Sequence, residues 1–110
     1  MCAYNIVTNS AGVPYFPQAS VNVTTEVVDF ALGFRKIEPI GYFSVRLSNV
    51  IPTGTTGTLP ITITLNGTSR NLTFPNGTNV TAADLVDVSF LTVFNDRFNS
   101  SLYLVSNIGV

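Results

Sequence analysis

Leu59-Pro60-Ile61-Thr62-Ile63-Thr64-Leu65-Asn66-Gly67 is the stretch that decides the fold class. Ile61, Ile63 and Leu65 alternate strictly with Thr62 and Thr64, which is the two-residue period of a strand with one buried face. The Asn66-Gly67 dipeptide that follows suits a tight two-residue hairpin turn. Arg70 to Phe74 then reads as the returning strand, with Leu72 and Phe74 inward, and Pro75-Asn76-Gly77 turns the chain again.

The same period recurs on both sides of this hairpin. Upstream, Val21 and Val23 share a face opposite Asn22 and Thr24, and a longer strand over 26–37 places Val28, Phe30, Leu32 and Phe34 together. Glu38-Pro39-Ile40-Gly41, with proline second and glycine fourth, has the preferences of a type I turn. It predicts a hairpin between 26–37 and a strand over 42–51 whose Phe43, Val45, Leu47 and Ile51 point inward. Downstream, Thr81-Ala82-Ala83-Asp84 has the spacing of a capped helix start with room for a single turn. Alternation resumes over 86–94 with Val86, Val88, Phe90 and Phe94 inward, Asn95-Asp96-Arg97 turns the chain, and 98–108 runs back with Leu102 and Leu104 opposite Tyr103 and Val105. Both faces of this last hairpin are partly apolar, so it is either central in a sandwich or covered by a partner.

Seven or eight short strands separated by turns predict an all-β chain, a single small antiparallel β-sandwich (Ig-like) or a small barrel. A chain of 110 residues suits one domain with one core. Residues 1–20 read as an extended N-terminal arm and 21–110 as the β domain. Asn9-Ser10-Ala11-Gly12 interrupts any strand, and Pro14 and Pro17 bracket Tyr15-Phe16. On this reading, removal of 1–20 leaves the β fold intact.

Charged residues make up 10% of the chain, where soluble domains carry about 25%. Fourteen Thr, 11 Asn and 9 Ser take their place, so the surface is built from small neutral hydrogen-bonding groups. The charges are also confined: residues 1–25, 47–69, 71–83 and 98–110 carry none. With only Arg35, Lys36, Arg46, Arg70 and Arg97 to meet phosphates, direct nucleic-acid binding is disfavoured. There is no His, which removes the commonest general base and a common metal ligand. The close carboxylate pairs, Glu26 with Asp29 and Asp84 with Asp87, are three apart and point to opposite faces of a strand. Asn95, Asp96 and Asn99 offer only one carboxylate and two amides to a cation, and turn formation explains them equally well. The Gly54–Gly57 loop lacks the lysine of a phosphate-binding loop and joins strand to strand. No enzyme activity, metal or cofactor is expected.

Cys2 is the single cysteine, so no disulfide forms within the chain. No apolar run is long enough for a helical membrane span, and residues 1–25 lack the basic and continuous apolar regions of a secretory signal. Synthesis in a cytoplasm without export is expected, which leaves the six Asn-x-Ser/Thr triplets, at Asn22, Asn66, Asn71, Asn76, Asn79 and Asn99, unmodified.

A weakly charged, Thr/Asn/Ser-rich β domain with a Pro14-Tyr15-Phe16-Pro17 arm, an Asn66-Gly67 hairpin, an Asn95-Asp96-Arg97 turn and a terminal Ile108-Gly109-Val110 resembles the small auxiliary (decoration) capsid proteins of bacteriophage heads, those of the crAss-like phages in particular. The resemblance implies a structural virion protein at the capsid surface, made in the host cytoplasm and present in many copies of a symmetric assembly. Its implied partners are the major capsid protein and other head proteins, with no membrane and no direct nucleic acid. Val13, Pro14, Tyr15, Phe16 and Pro17 of the arm, and Thr53, Thr55, Thr56 and Thr58 of the neutral loop, are the expected contacts. A carbohydrate-binding or host-recognition module of a fibre or adhesin is the alternative, since neutral Asn/Thr surfaces also hydrogen-bond sugars.

Overall fold

The computed structural model describes residues 14–33, 40–96 and 99–109. Among the described residues seven strands form, β1 (Tyr15–Val23), β2 (Val28–Ala31), β3 (Gly41–Leu47), β4 (Ile61–Leu65), β5 (Thr68–Thr73), β6 (Val88–Asp96) and β7 (Ser101–Gly109), with one 3₁₀ turn over Ala82–Leu85 before β6. They close into a barrel in the order β1-β2-β4-β5-β7-β6-β3. Of the two expected all-β architectures it is therefore the small barrel. The expectation of antiparallel pairing throughout is corrected, because β1 with β3, β2 with β4 and β5 with β7 run parallel.

The local turns are those the residue types require. Asn66 and Gly67 take positive φ angles of 52° and 81° and join β4 to β5 with Leu65 opposite Thr68. Thr81 and Asp84 close the 3₁₀ turn: the Asp84 carboxylate accepts from the Thr81 amide at 2.9 Å and from its hydroxyl at 3.1 Å. Val28, Phe30, Phe43, Val45, Ile61, Ile63 and Leu72 are all fully buried, on the faces the alternation assigns to them. Phe16 meets Phe43 edge to face with ring centroids 5.4 Å apart, which ties β1 to β3 inside the barrel.

Three expectations are revised. β2 does not pair with β3; it lies between β1 and β4, while β3 lies between β1 and β6. Alternation says which face of a strand is buried but not which strand sits beside it, and long-range packing made that choice. Second, the boundary at residue 20 falls inside β1. Tyr15 and Phe16 pair with Ser44 and Val45, and Ser20–Val23 pair with β2, so one strand seals the barrel by serving both neighbours. Pro17, which has no amide to donate, sits where the β1–β3 register shifts between Phe16 and Ala19. Residues 1–13 of the arm lie outside the described residues. Third, Asn95 and Asp96 belong to β6 rather than to a turn, and Arg97 lies outside the described residues.

The β6–β7 hairpin forms as expected, but its register shifts twice. Between Val88 and Phe90 the additional residue is on β6, and between Thr92 and Val93 a compensating one is on β7. The first bulge inverts the parity of β6, so Leu91, Val93 and Asn95 face inward and Phe90 and Phe94 do not. This overturns the inward assignment of both phenylalanines.

Outside the barrel, Asn22, Asp29, Thr62 and Asn71 stand in one row across β1, β2, β4 and β5. The Asp29 carboxylate accepts from the Thr62 hydroxyl at 2.7 Å and from the Thr64 hydroxyl at 2.8 and 2.9 Å, and Thr64 in turn lies 2.6 Å from the Ser69 hydroxyl. These bonds reinforce the parallel β2–β4 junction from outside. The Asp29→Asn protein keeps an acceptor for Thr62 but loses the second carboxylate oxygen, and its urea midpoint is expected to report a loss of about 1 kcal/mol. An unchanged midpoint would assign the network no part in stability.

Candidate functional site: the aromatic outer face of β3, β6 and β7

Strand geometry places alternate side chains of neighbouring strands in rows across a sheet, about 4.8 Å apart along a row and about 6–7 Å from row to row. On the outer face of β3, β6 and β7 the first row is Tyr42, Phe94 and Tyr103, directly opposite one another. Tyr42 and Phe94 meet edge to face at 5.0 Å. The second row is Tyr15, Ser44, Thr92 and Ser106, and beyond it stand Arg46 and Phe90. Small hydroxyl residues thus form a floor between aromatic walls. A groove of about 290 Å³ lies there, lined by Tyr15, Ser44, Phe90, Thr92 and Ser106.

The described aromatic side chains divide cleanly. Phe16, Phe30 and Phe43 are core, and Phe74 packs against it. The remaining five, Tyr15, Tyr42, Phe90, Phe94 and Tyr103, share this one outer face. Tyr42 is 55% exposed, Phe90 39%, and Val105, outward by alternation with buried Leu104, 48%. The charged residues of the three strands are Arg46 at one end and Asp96 at the other. A contiguous aromatic patch with so little charge is a surface suited to being covered.

The expected contact residues separate. Val13 lies outside the described residues. Pro14 is half-buried and its carbonyl accepts from the Ser44 amide at 2.8 Å; Tyr15 joins the aromatic face; Pro17 is exposed. Phe16 is 2% exposed and belongs to the core, so it cannot meet a partner while the barrel is closed. Thr53, Thr56 and Thr58 are exposed, whereas Thr55 is half-buried and donates its hydroxyl to the Pro52 carbonyl at 2.7 Å. This loop lies against the 3₁₀ turn, where a Cβ on Gly57 would come within 3.2 Å of the Ala83 Cβ, and it lines a second cleft apart from the aromatic groove.

Asn95 and Asp96 point to opposite sides of β6. Asn95 is buried and receives a hydrogen bond from Arg70 at 3.1 Å, while Asp96 accepts from the Asn99 side chain at 2.8 Å, so the three oxygen donors do not converge on a common point. Tyr42 and Tyr103 each neighbour an inward residue and are outward by alternation alone, a signal the sequence carries. Phe90 and Phe94 had no such signal, because only the bulge turns them outward. The chain matches no protein-family model, no curated protein and no solved structure.

Proposed function

We propose that this protein is a structural virion component, an auxiliary capsid protein that binds the assembled shell of major capsid protein and stabilises it. The observation that supports this most directly is the gathering of every described aromatic outside the core onto one nearly uncharged face. Such a face is inexpensive to desolvate, and tyrosine, phenylalanine and arginine are among the residue types enriched at protein interfaces. Copies fixed at symmetric positions would add avidity to a modest single-site affinity. Under this reading the protein is made in the host cytoplasm and resides on the capsid surface of a phage of the crAss-like kind.

A second reading, a carbohydrate-binding module of a fibre or adhesin, draws support from the hydroxyl floor between aromatic walls, since a neutral sugar ring offers hydroxyls to the one and an apolar face to the other. The double variant Tyr42→Ser/Phe90→Ser discriminates the two. Both side chains are exposed, so the barrel should keep its circular dichroism spectrum. Co-sedimentation with shells lacking the protein is expected to weaken at least ten-fold, about 1.4 kcal/mol. Wild-type binding by the variant would remove this face from the capsid reading. Saturable glycan-array binding by the unaltered protein, lost in the variant, would favour the sugar.

A further inference from the structure

We infer that the cleft between the 52–57 loop and the 3₁₀ turn is a receptor for one basic side chain, Lys or Arg, presented by a protein partner. The cleft holds about 370 Å³, at the low end of small-molecule pockets, and its walls include Pro52, Ala82, Ala83 and Val86. Val86 is 61% exposed although it is aliphatic and sits beside a buried Leu85. Walls of this kind suit the methylene stem of a long side chain whose charged head stays near water. Among the described residues, the one charged side chain lining the cleft is that of Asp87, and Thr53 and Thr55 lie on the same lining.

Asp87 has a φ of 59°, a left-handed conformation that Gly adopts freely and that Asn and Asp visit more readily than most other residues; Asn66 and Ser100 adopt it elsewhere among the described residues. Only about a tenth of the residues are charged, yet a carboxylate stands at this turn, and among the described residues its side chain has no hydrogen-bonding or ion-pair partner. The neighbouring Asp84, by contrast, is engaged by Thr81. A carboxylate with no partner among the described residues, beside a mostly apolar cleft, is complementary to an ammonium or guanidinium on an aliphatic stem, and to no anion.

The identification of the occupant as a partner's side chain rests on the protein-docking reading above, and the test is chosen to be independent of it. Nα-acetyl-lysine methylamide is titrated into the 110-residue chain and amide shifts are followed by NMR, with Nα-acetyl-norleucine methylamide as the uncharged control. The lysine derivative is expected to shift the Gly54, Gly57, Ala83 and Asp87 amides in a saturable way. Asp87→Asn, which keeps a residue suited to the left-handed turn, should weaken that binding about two- to five-fold, and half-molar salt should do the same to the unaltered protein. Equal binding of the two probes, equal binding by the Asn variant, or shifts confined to other amides would overturn the site. Because no shell is present, those outcomes leave the capsid reading to the co-sedimentation test, and failure of that test leaves this one standing on its own result.

Discussion

A chain shortened to begin at Val21 is expected to lose its cooperative thermal transition. The cut removes the first six residues of β1, among them Tyr15, Phe16 and Ala19, which pair with β3 and close the barrel, and it takes Phe16 and Ala19 out of the core. β3 would be left with an unpaired edge, and the interior would open to water along its length. The point variant Phe16→Ala isolates the packing part of this effect. Loss of a buried phenylalanine costs about 3–5 kcal/mol, against a total stability of about 5–15 kcal/mol for a domain of this kind. Near-ultraviolet circular dichroism and thermal unfolding measure both proteins. A truncated chain that melts sharply at the wild-type temperature would show that the β1–β3 junction does not hold the barrel together. Deletion of 1–20 is thus a test of folding, and loss of capsid binding in that chain could not be assigned to an arm.

The second large effect is expected at Asn95. This side chain is 1% exposed and faces inward on β6, where its Oδ1 accepts from the half-buried Arg70 guanidinium at 3.1 Å. Arg70 lies on β5, inward by the same parity as buried Leu72, and is separated from β6 in the strand order by β7. The bond therefore passes over β7 on the inner side of the barrel wall. Asn95→Leu removes a charge-assisted bond in surroundings of low dielectric and sets a methyl group against a cation, for a loss of about 2–3 kcal/mol by denaturant titration. Arg70 and Asn95 each have other partners as well, so a double-mutant cycle with Arg70→Met is the cleaner measurement. A coupling energy near zero would assign the stability to those other contacts.

How far each element could be read in advance depended on how local its determinants are. The β4–β5 hairpin needed only the alternation through Leu65 and the two turn residues that follow, all within ten positions, and it stands as read. The capping pair Thr81 and Asp84 is likewise local. The β2–β3 hairpin failed because its turn signals were compatible with pairing without compelling it, and β2 found its partners in β1 and β4 instead. Phe90 and Phe94 were misassigned because a bulge adds one residue to one strand, and a strict two-residue period carried past it inverts every later assignment. The loop at 53–58 was visible as a loop, but the cleft it forms depends on the 3₁₀ turn nearly thirty residues away. The aromatic face was half visible: Tyr42 and Tyr103 are outward by alternation, while Phe90 and Phe94 join them only through the bulge.

By itself, then, the sequence determined the all-β class, the inward face of most strands, the tight turns and the neutral character of the surface, because each rests on residue type and spacing over a few positions. Only the tertiary structure decided the closure into a mixed barrel, the use of Tyr15–Ser20 as part of its wall, and the gathering of five aromatics on one outer face. Those outcomes depend on which strands meet across tens of residues, a choice made by the best joint packing of Phe16, Phe30, Phe43 and their neighbours rather than by any segment alone.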